Sequence, residues 1–483
     1  MEADHESQSA APRSESLTRS AIFWLPPLAA GLALRLYMLK ALFQVIGDSL
    51  IYGDMAKNLL LHGCYCQTVD NGVLAPTLIR LPGYPLLLAL SFRIFGMENY
   101  YRVTLIQIAL ELLGCVLLAE FAARIAPAQL AKDARLATLW IAVLCPFTAS
   151  YAAAPLAETP TLFVLALALW AMDRAIDRFD RRPAWSCALW FTFAITFAAL
   201  LRPDGVLAAA AFVPALLPAV WRGMKTGAAQ AKRLATIAAV CALLAAAPFA
   251  AWTWRNWHTF HVVEPLAPRY ANDPGQNTYP GWQSWVKTWC LDWVSTYQIY
   301  WEVPGDRFEL SDLPTRAFDT PAQYAETAAI AAKYNDRDKA RGIQPDVDAD
   351  FARLAAERTA AHPWRTHVWL PLGRVADMWL RPRVENIDVD IDWWVWENHH
   401  AETRFSWEYA GLNLLYLALG AVGLWLRPRF WRAMLAYMIL RSALLLTVEA
   451  PETRYTLECF PMLFALGGVA LSAGARQIAA RFT

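Results

Sequence analysis

The chain has 483 residues, of which 57% are hydrophobic, and its mean hydropathy is +0.27. Soluble domains are usually about 45–50% apolar, so this composition excludes an ordinary soluble protein and favours a polytopic membrane protein. The formal net charge is +1 and the chain has no stripe of Lys or Arg, which indicates no nucleic-acid partner.

The chain begins with a polar segment, residues 1–20, that lacks a basic n-region. No small-residue cleavage site follows the first apolar run, which predicts a retained membrane helix over 21–43 rather than a cleaved signal peptide. Nine later segments are predicted to cross a bilayer by their length and apolar composition: 103–124, 134–152, 159–174, 184–200, 206–221, 234–252, 407–426, 431–448 and 456–474.

The stretch 82–96 is also apolar, but it has only 15 residues and contains Arg93, which favours an interfacial or re-entrant helix. If 82–96 does not cross, every basic cluster between spans faces the cytoplasm, as the positive-inside rule requires. We therefore expect about ten spans (ten to twelve) with both termini in the cytoplasm. The clusters are 125–133, 174–183, 222–233, 427–432 and the tail after 474.

This topology predicts an all-α polytopic membrane protein in five parts. The parts are a cytoplasmic tail (1–20), a transmembrane module (21–252) with an exported loop (44–102), an exported and mostly helical soluble cap (253–406), C-terminal transmembrane helices (407–474) and a cytoplasmic tail (475–483). No internal repeat is visible. The Ala-, Trp- and Arg-rich composition with short loops indicates a bacterial inner membrane.

The eight cysteines lack the spacing of a metal site. Cys64 and Cys66 flank a single residue, so we expect them to be poor partners for a disulfide. The chain also lacks a P-loop, a GxSxG, an HExxH and a dinucleotide fingerprint, which argues against a nucleotide-driven or serine-triad reaction.

The exported loop contains GDSLIYGD, residues 47–54, directly after an apolar run. In a helix Asp48 and Tyr52 share one face, while Asp54 points away and is expected to be a solvated surface acid. Two interpretations of Asp48 remain open: a helix N-cap, which favours Asp, or a catalytic carboxylate at the membrane boundary.

Glu158 lies between two apolar spans, in AAAPLAETPTLF. It is either an exposed turn acid or a functional carboxylate at the mouth of a helix bundle.

Four arginines lie at exported membrane boundaries: Arg80, Arg202, Arg255 and Arg454. Isolated boundary arginines usually anchor a chain at the interface. Four on the exported side run against the usual bias, and the guanidinium fork suits phosphate. They favour an anionic ligand on that face.

The motif GDSLIYGDMAKNLLLHGCYCQ resembles the first exported loop of the C-class (GT-C) integral-membrane glycosyltransferases. The resemblance is to the branch of protein O-mannosyltransferases and aminoarabinose lipid A transferases. Later landmarks of that branch resemble RLPGYPLLLALSFRIFG, LAETPTLF, RPDG, AWTWRNW and ETRYTLECFPML, in the same order. The matching positions in the loop are Asp48, Tyr52, Ala56, Asn58, Leu59, Gly63 and Tyr65.

The resemblance implies a GT-C-like helix bundle with juxtamembrane helices. It also implies inverting transfer of a sugar from a polyprenyl-phosphate donor to a lipid, glycan or protein acceptor on the exported face. Asp48 would be the general base, and Glu158 would hold the acceptor or an arginine. The implied substrate-binding residues are Tyr52, Arg80, Tyr84, Arg202, Arg255, Arg454 and Tyr455. Many relatives have Asp-Glu where this chain has Asp48-Ser49, which leaves the role of a divalent cation open.

Two other functions fit part of this pattern. A transporter or flippase of a lipid-linked sugar would also need anion-binding arginines, but transporters favour inverted repeats and polar residues at mid-membrane. The sequence shows no repeat, and the charges that look well buried are Arg35, Glu111 and Arg441. A membrane scaffold whose cap binds a partner would need no carboxylate at a loop mouth.

Overall fold

The computed structural model describes residues 13–178, 184–337 and 342–482. Residues 1–12 of the predicted tail, and Arg181 and Arg182 of the predicted basic cluster, lie outside these ranges. The described residues form these α-helices: α1 (Arg13–Leu42), α2 (Asp48–His62), α3 (Gly83–Phe95), α4 (Tyr100–Ile125), α5 (Ala131–Val143), α6 (Pro146–Ala152), α7 (Glu158–Arg178), α8 (Ala184–Leu201), α9 (Val206–Met224), α10 (Ala228–Phe260), α11 (Pro280–Lys287), α12 (Trp293–Ser295), α13 (Pro321–Asn335), α14 (Pro345–Ala361), α15 (Leu370–Leu380), α16 (His400–Trp425), α17 (Trp431–Leu445) and α18 (Phe460–Phe482).

The prediction of a helical, multi-pass membrane protein is confirmed, because every segment expected to cross the bilayer is helical. Within the described ranges, six helical segments are long and apolar enough to span, or seven if the bent pair α5 and α6 is one span. The total of ten spans stays a prediction. The six segments are Phe23–Leu42, Tyr100–Ile125, Glu158–Asp177, Pro203–Met224, Ala228–Phe260 and Thr453–Ala480.

A buried ion pair holds the break between α5 and α6, where the two helices meet at 54°. Pro146 begins α6 and cannot continue the backbone hydrogen bonds of α5. The carbonyl of Val143 at the end of α5 instead accepts a hydrogen bond from Arg35 Nη1 at 2.6 Å. Arg35 also pairs with Glu111 of α4, with Nη2 2.6 Å from Oε1. Two of the charges that looked buried in the sequence therefore neutralise each other in the bundle.

The loop between α1 and α4 contains α2, a β-hairpin and α3. Strand β1 (Cys66–Val69) pairs antiparallel with β2 (Val73–Pro76), and Cys66 lies opposite Pro76. The turn between them places Asn71 at φ 60° and Gly72 at φ 77°, the left-handed region that an Asn-Gly turn favours. The sequence analysis did not predict this small sheet.

Two expectations about this loop are wrong. Asp54 is not a solvated surface acid: its carboxylate accepts hydrogen bonds from the Thr68 amide at 2.6 Å and the Thr68 hydroxyl at 2.8 Å. The hairpin folds back onto α2 and covers part of Asp54, whose side chain is 21% exposed. Cys64 and Cys66 form a disulfide, with Cα atoms 5.4 Å apart, within the usual range for this bond.

The predicted cap forms a second hydrophobic core of its own, as a mostly helical unit. Trp282 and Trp285 of α11 pack against Phe351 of α14, each with ring centroids 5.0 Å from that phenylalanine. Asp348 of α14 caps α11, because its carboxylate accepts from the Gly281 amide at 3.1 Å and the Trp282 amide at 2.8 Å. Burial of these large rings stabilises the cap.

Candidate active site

A cavity of about 420 Å³ opens where α2, α7 and the 3₁₀ turn Thr453–Cys459 meet the cap. Seven of the nine residues predicted from the sequence line this cavity, although they come from five separate parts of the chain. They are Asp48, Tyr52, Arg80, Glu158, Arg202, Arg454 and Tyr455.

Asp48 is the first residue of α2, and its side chain does not cap that helix. Gly47 occupies the N-cap position with φ 52°, and no side chain caps the helix there. The carboxylate of Asp48 instead contacts Arg80, with Oδ1 2.7 Å from Nη2, and Arg454, with Oδ2 3.4 Å from Nη1. The N-cap interpretation of Asp48 is therefore wrong.

The pKa of Asp48 reflects two opposing effects. Burial raises this pKa, but the positive charges of Arg80, Arg454 and Arg202 outweigh burial and hold it below the usual value for aspartate. Asp48 is therefore an ionised carboxylate at neutral pH. In this state it is a hydrogen-bond acceptor only.

Glu158 begins α7, and its side chain is 4% exposed, so it is not an exposed turn acid. Its Oε1 lies 3.0 Å from Arg202 Nη1 and 3.7 Å from Arg454 Nη1. The same nitrogen of Arg454 contacts Asp48, so this guanidinium bridges the two carboxylates that the sequence analysis proposed.

A second layer of acids surrounds Arg202. Its Nε lies 2.9 Å from Glu458 Oε1 and 3.4 Å from Asp204 Oδ1. Both acids also contact Arg441, which is fully buried; Glu458 Oε2 is 3.1 Å from Arg441 Nη1. Arg441 is therefore part of this layer, beneath the cavity floor.

Arg454 is held by its own turn. It pairs with Glu452, and the Tyr455 hydroxyl donates to the other oxygen of Glu452. The Tyr455 carbonyl accepts a hydrogen bond from Arg441 Nε at 2.7 Å. These contacts position the Arg454 guanidinium at the cavity.

The sequence analysis missed several polar or aromatic lining residues: Asp204, Arg269, Tyr300, Trp301, Glu449 and Glu452. Asp204 and Glu452 could have been predicted, because both belong to motifs quoted in the sequence analysis, RPDG and ETRY. Arg269, Tyr300 and Trp301 come from the cap, where no motif points to the cavity, and Glu449 lies between α17 and the turn Thr453–Cys459. With them, five carboxylates face four arginines in the lining. Each of Arg80, Arg202, Arg269 and Arg454 contacts at least one acid.

Two predicted site residues do not line the cavity. Tyr84 is fully buried behind Tyr52, and its hydroxyl donates to Gln107 Oε1 at 2.7 Å. Arg255 donates to the carbonyls of Thr77 and Tyr65, each at 2.8 Å. Arg255 thus holds the loop that leads to Arg80.

No protein-family model matches the sequence, and no curated protein matches it. Two solved structures align with most of the chain. The Archaeoglobus fulgidus oligosaccharyltransferase, tethered to an acceptor peptide containing the NVT sequon, aligns with 96% of this chain at 12% identity and a TM-score of 0.49. ArnT from Cupriavidus metallidurans in the apo state aligns with 95% of this chain and 79% of its own length, at 14% identity and a TM-score of 0.35.

The chain spans about half of the oligosaccharyltransferase, of which 51% is covered. At these identities neither similarity assigns a substrate or a catalytic residue to this chain.

Proposed function

We propose that the protein is a membrane glycosyltransferase of the GT-C type. It transfers a sugar from a polyprenyl-phosphate donor to an acceptor hydroxyl, with inversion, on the exported face of a bacterial inner membrane. One observation carries the proposal: Asp48 and Glu158 share the guanidinium of Arg454 in a cavity between an apolar helix bundle and a polar cap. A lipid-linked sugar needs both environments.

Asp48 acts as the general base in this proposal. Arg80 and Arg454 pair with Asp48 in the structure and keep its basicity low. An incoming phosphate competes for the same guanidinium groups, since arginine binds phosphate through two parallel hydrogen bonds. When the arginines turn toward the phosphate, Asp48 loses its neutralising partners and its pKa rises. Donor binding therefore activates the base.

The transfer step forms one bond, breaks another and moves one proton. The acceptor oxygen forms a bond to the anomeric carbon while its proton passes to Asp48. The bond between the anomeric carbon and the phosphate oxygen breaks, and the prenyl phosphate leaves with that electron pair. Arg454 and Arg202 stabilise the charge that develops on the leaving oxygen. Glu158 positions both arginines.

Apolar surface for the prenyl chain lies close to the cavity. Leu444, Leu445 and Val448 line the cavity next to the charged groups. An apolar groove of about 480 Å³ includes Leu446, directly after α17, and extends to Met438 and Trp379. A polyprenyl chain could leave the cavity along this side of the bundle.

A divalent cation is not assigned a step. Asp48 and Glu158 already contact arginines, which supply positive charge where the family resemblance leaves a metal open. Among the described residues, the acids and histidines close enough to share an ion are Asp390, His399 and Glu402 in the cap.

The experiment that tests the proposal is mass spectrometry of lipids that co-purify with the full-length protein in nanodiscs. We compare wild type, Asp48→Asn and the control Asp133→Asn, which changes an exposed acid on α5. We expect a prenyl-phosphate sugar to accumulate on Asp48→Asn, because binding persists while transfer stops. A folded Asp48→Asn variant that transfers sugar at the wild-type rate would rule out the base.

Lipid mass spectrometry together with a transport assay in proteoliposomes separates an enzyme from a carrier. If neither form carries a prenyl phosphate, the lipid-donor proposal fails. If Asp48→Asn still moves a lipid-linked sugar across the bilayer of a proteoliposome while no transfer occurs in either form, the flippase alternative is the better account.

A further inference from the structure

A ridge of three aromatic rings runs away from the catalytic cavity. Helix α12 continues into a π-helix, Thr296–Trp301. Residues four apart lie on one side of a helical segment, so Trp293, Tyr297 and Trp301 come close together. The ring centroid of Trp293 lies 6.0 Å from that of Tyr297 and 5.1 Å from that of Trp301. These rings form one continuous surface, the aromatic ridge.

The aromatic ridge connects two cavities. Trp301 lines the catalytic cavity. Trp293 and Tyr297 line a second cavity of about 270 Å³ in the cap. A chain-like ligand on the ridge would therefore reach both cavities at once.

The second cavity combines aromatic rings with polar groups, of which Arg381 and Glu385 are mostly buried and Asp390 is exposed. Its lining includes Arg381, Glu385, Asp390 and Trp393. Glu385 is 6% exposed, and its Oε1 lies 3.2 Å from Arg381 Nε. Trp393 is 7% exposed, and its indole N–H has no hydrogen-bond acceptor within the described part of the chain. A buried donor of this kind is satisfied when a ligand supplies an oxygen.

Direct contacts fix the ridge and the second cavity to the catalytic turn. The Thr296 hydroxyl in the π-helix donates to the Pro451 carbonyl at 3.1 Å. The Thr453 hydroxyl donates to Glu385 Oε2 at 2.6 Å. Thr453 immediately precedes Arg454, so the second cavity is positioned by the segment that carries the catalytic arginine.

The chemistry of the second cavity selects a class of ligand. Two carboxylates against one arginine disfavour a phosphate or another anionic head group. The buried charges disfavour a prenyl or acyl chain. A sugar unit is compatible with both the aromatic rings and the charged groups of this cavity. Its C–H face packs on an aromatic ring, its hydroxyls donate to carboxylates, and its oxygens accept from arginine and indole N–H groups.

We propose that the aromatic ridge and the second cavity bind the sugar units of an oligosaccharide acceptor. The reacting end lies near Asp48, the next unit packs on Trp301, and a later unit occupies the second cavity against Trp293 and Tyr297. This inference rests on the proposed glycosyl transfer and narrows its acceptor to a glycan rather than a peptide or a single lipid head group.

The test uses a glycan array and the full-length protein in nanodiscs. The array carries neutral bacterial oligosaccharides of one to six sugar units, together with acidic peptides and phospholipid head groups as competitors. Trp293→Ala and Tyr297→Ala are the test variants; Tyr297 is 44% exposed, so its replacement leaves the core intact. Trp364→Ala is the matched control, because Trp364 is a cap tryptophan that is 72% exposed and lines neither cavity.

We expect wild type and Trp364→Ala to bind oligosaccharides of two or more units. Both test variants should bind them at least tenfold more weakly. A silent array overturns the proposal, as do equal binding by Tyr297→Ala and Trp364→Ala, and ridge-dependent binding of peptides or head groups instead of glycans.

A second readout separates this proposal from the donor proposal. Each ridge variant is combined with Asp48→Asn, and retained prenyl-phosphate sugar is measured by mass spectrometry. If only the acceptor inference is wrong, the donor is retained and glycan binding ignores the ridge. If only the donor proposal is wrong, no prenyl lipid is retained, yet glycan binding still depends on Trp293.

Discussion

The two ends of α7 carry two ion clusters that differ in how their charges are matched. At the C-terminal end, Asp173 and Asp177 face Arg124 and Arg429, and each arginine contacts both acids. Arg429 makes both contacts at 2.9 Å. These four charges balance within a closed group, which ties α4 and α7 to the segment before α17.

At the N-terminal end, the cluster around Glu158 is shared and open. The single guanidinium of Arg454 contacts three acids, Glu158, Asp48 and Glu452, and the group lines a cavity. An incoming anion can take over a guanidinium here and leave Asp48 without its partner, as the proposed activation of the base requires. An ion pair alone therefore does not indicate a functional site. A cluster whose acids share one arginine and that lines a cavity is the better candidate.

The largest expected effect contrasts the two ends directly. Asp48→Asn should lower the rate of sugar transfer by roughly 10²–10⁴-fold, because it removes the general base. Asp173→Asn should keep the transfer rate and lower the free energy of unfolding by about 1–3 kcal/mol, because it leaves Arg124 and Arg429 without a buried acid. Steady-state kinetics and calorimetry measure the two effects. If Asp173→Asn lost activity without losing stability, the clusters at the two ends of α7 would not differ in function.

A smaller effect is expected from Arg454→Lys, which keeps the charge but removes the fork that bridges Asp48 and Glu158. Loss of one charge-assisted hydrogen bond corresponds to roughly a 10- to 100-fold fall in kcat/KM. Arg429→Lys in the closed cluster is the control and should leave kcat/KM unchanged. Equal losses in both variants would point to a general loss of folding.

The pH profile tests how far the arginines neutralise Asp48. The base must be ionised, and its pKa lies below the usual value, so kcat/KM of the wild type should stay flat from neutral into mildly acidic pH. Arg80→Gln removes the charge that lowers this pKa most, while burial still raises it. Activity should then be lost as pH falls through a higher pKa. An acid limb at the same pH in both proteins would contradict the ion pair.

The smallest effect should come from Tyr65→Phe, outside the cavity. The Tyr65 hydroxyl donates to the Arg80 carbonyl at 3.0 Å and so helps to place the arginine that pairs with Asp48. Losing it should cost about 0.5–1.5 kcal/mol of stability and reduce kcat by less than tenfold. Thermal unfolding and kinetics would show both. A larger loss of activity than in Arg454→Lys would mean that the loop containing Tyr65 matters more for activity than the cluster around Glu158.

Helical periodicity and apolar length predicted every spanning segment as a helix, because both properties are local. The prediction that Asp48 and Tyr52 share one face of a helix also depended only on local spacing, and both residues line the cavity. The hairpin after α2 was missed although Asn71-Gly72 is a hairpin turn motif, because the flanking strands have only four residues each.

Other errors have a different cause, since they depend on contacts between distant parts of the chain. The boundary position of Arg255 resembled that of Arg454, but only packing against Tyr65 and Thr77 decides that its guanidinium meets carbonyl groups. The second cavity is lined by both Trp293 and Trp393, which are one hundred positions apart in the chain, and no local sequence pattern predicts it.

The pair of Arg35 and Glu111 also bears on how the chain is made. A lone charge in the hydrocarbon core costs several kcal/mol, so α1 is a poor membrane helix until α4 supplies its partner. The partners are separated by 76 residues. At about 5–20 residues per second, synthesis of that interval takes roughly 4–15 s. During this time α1 needs the insertion machinery or water beside Arg35, so α1 is synthesised before α4 but settles among the lipids only after α4 has followed.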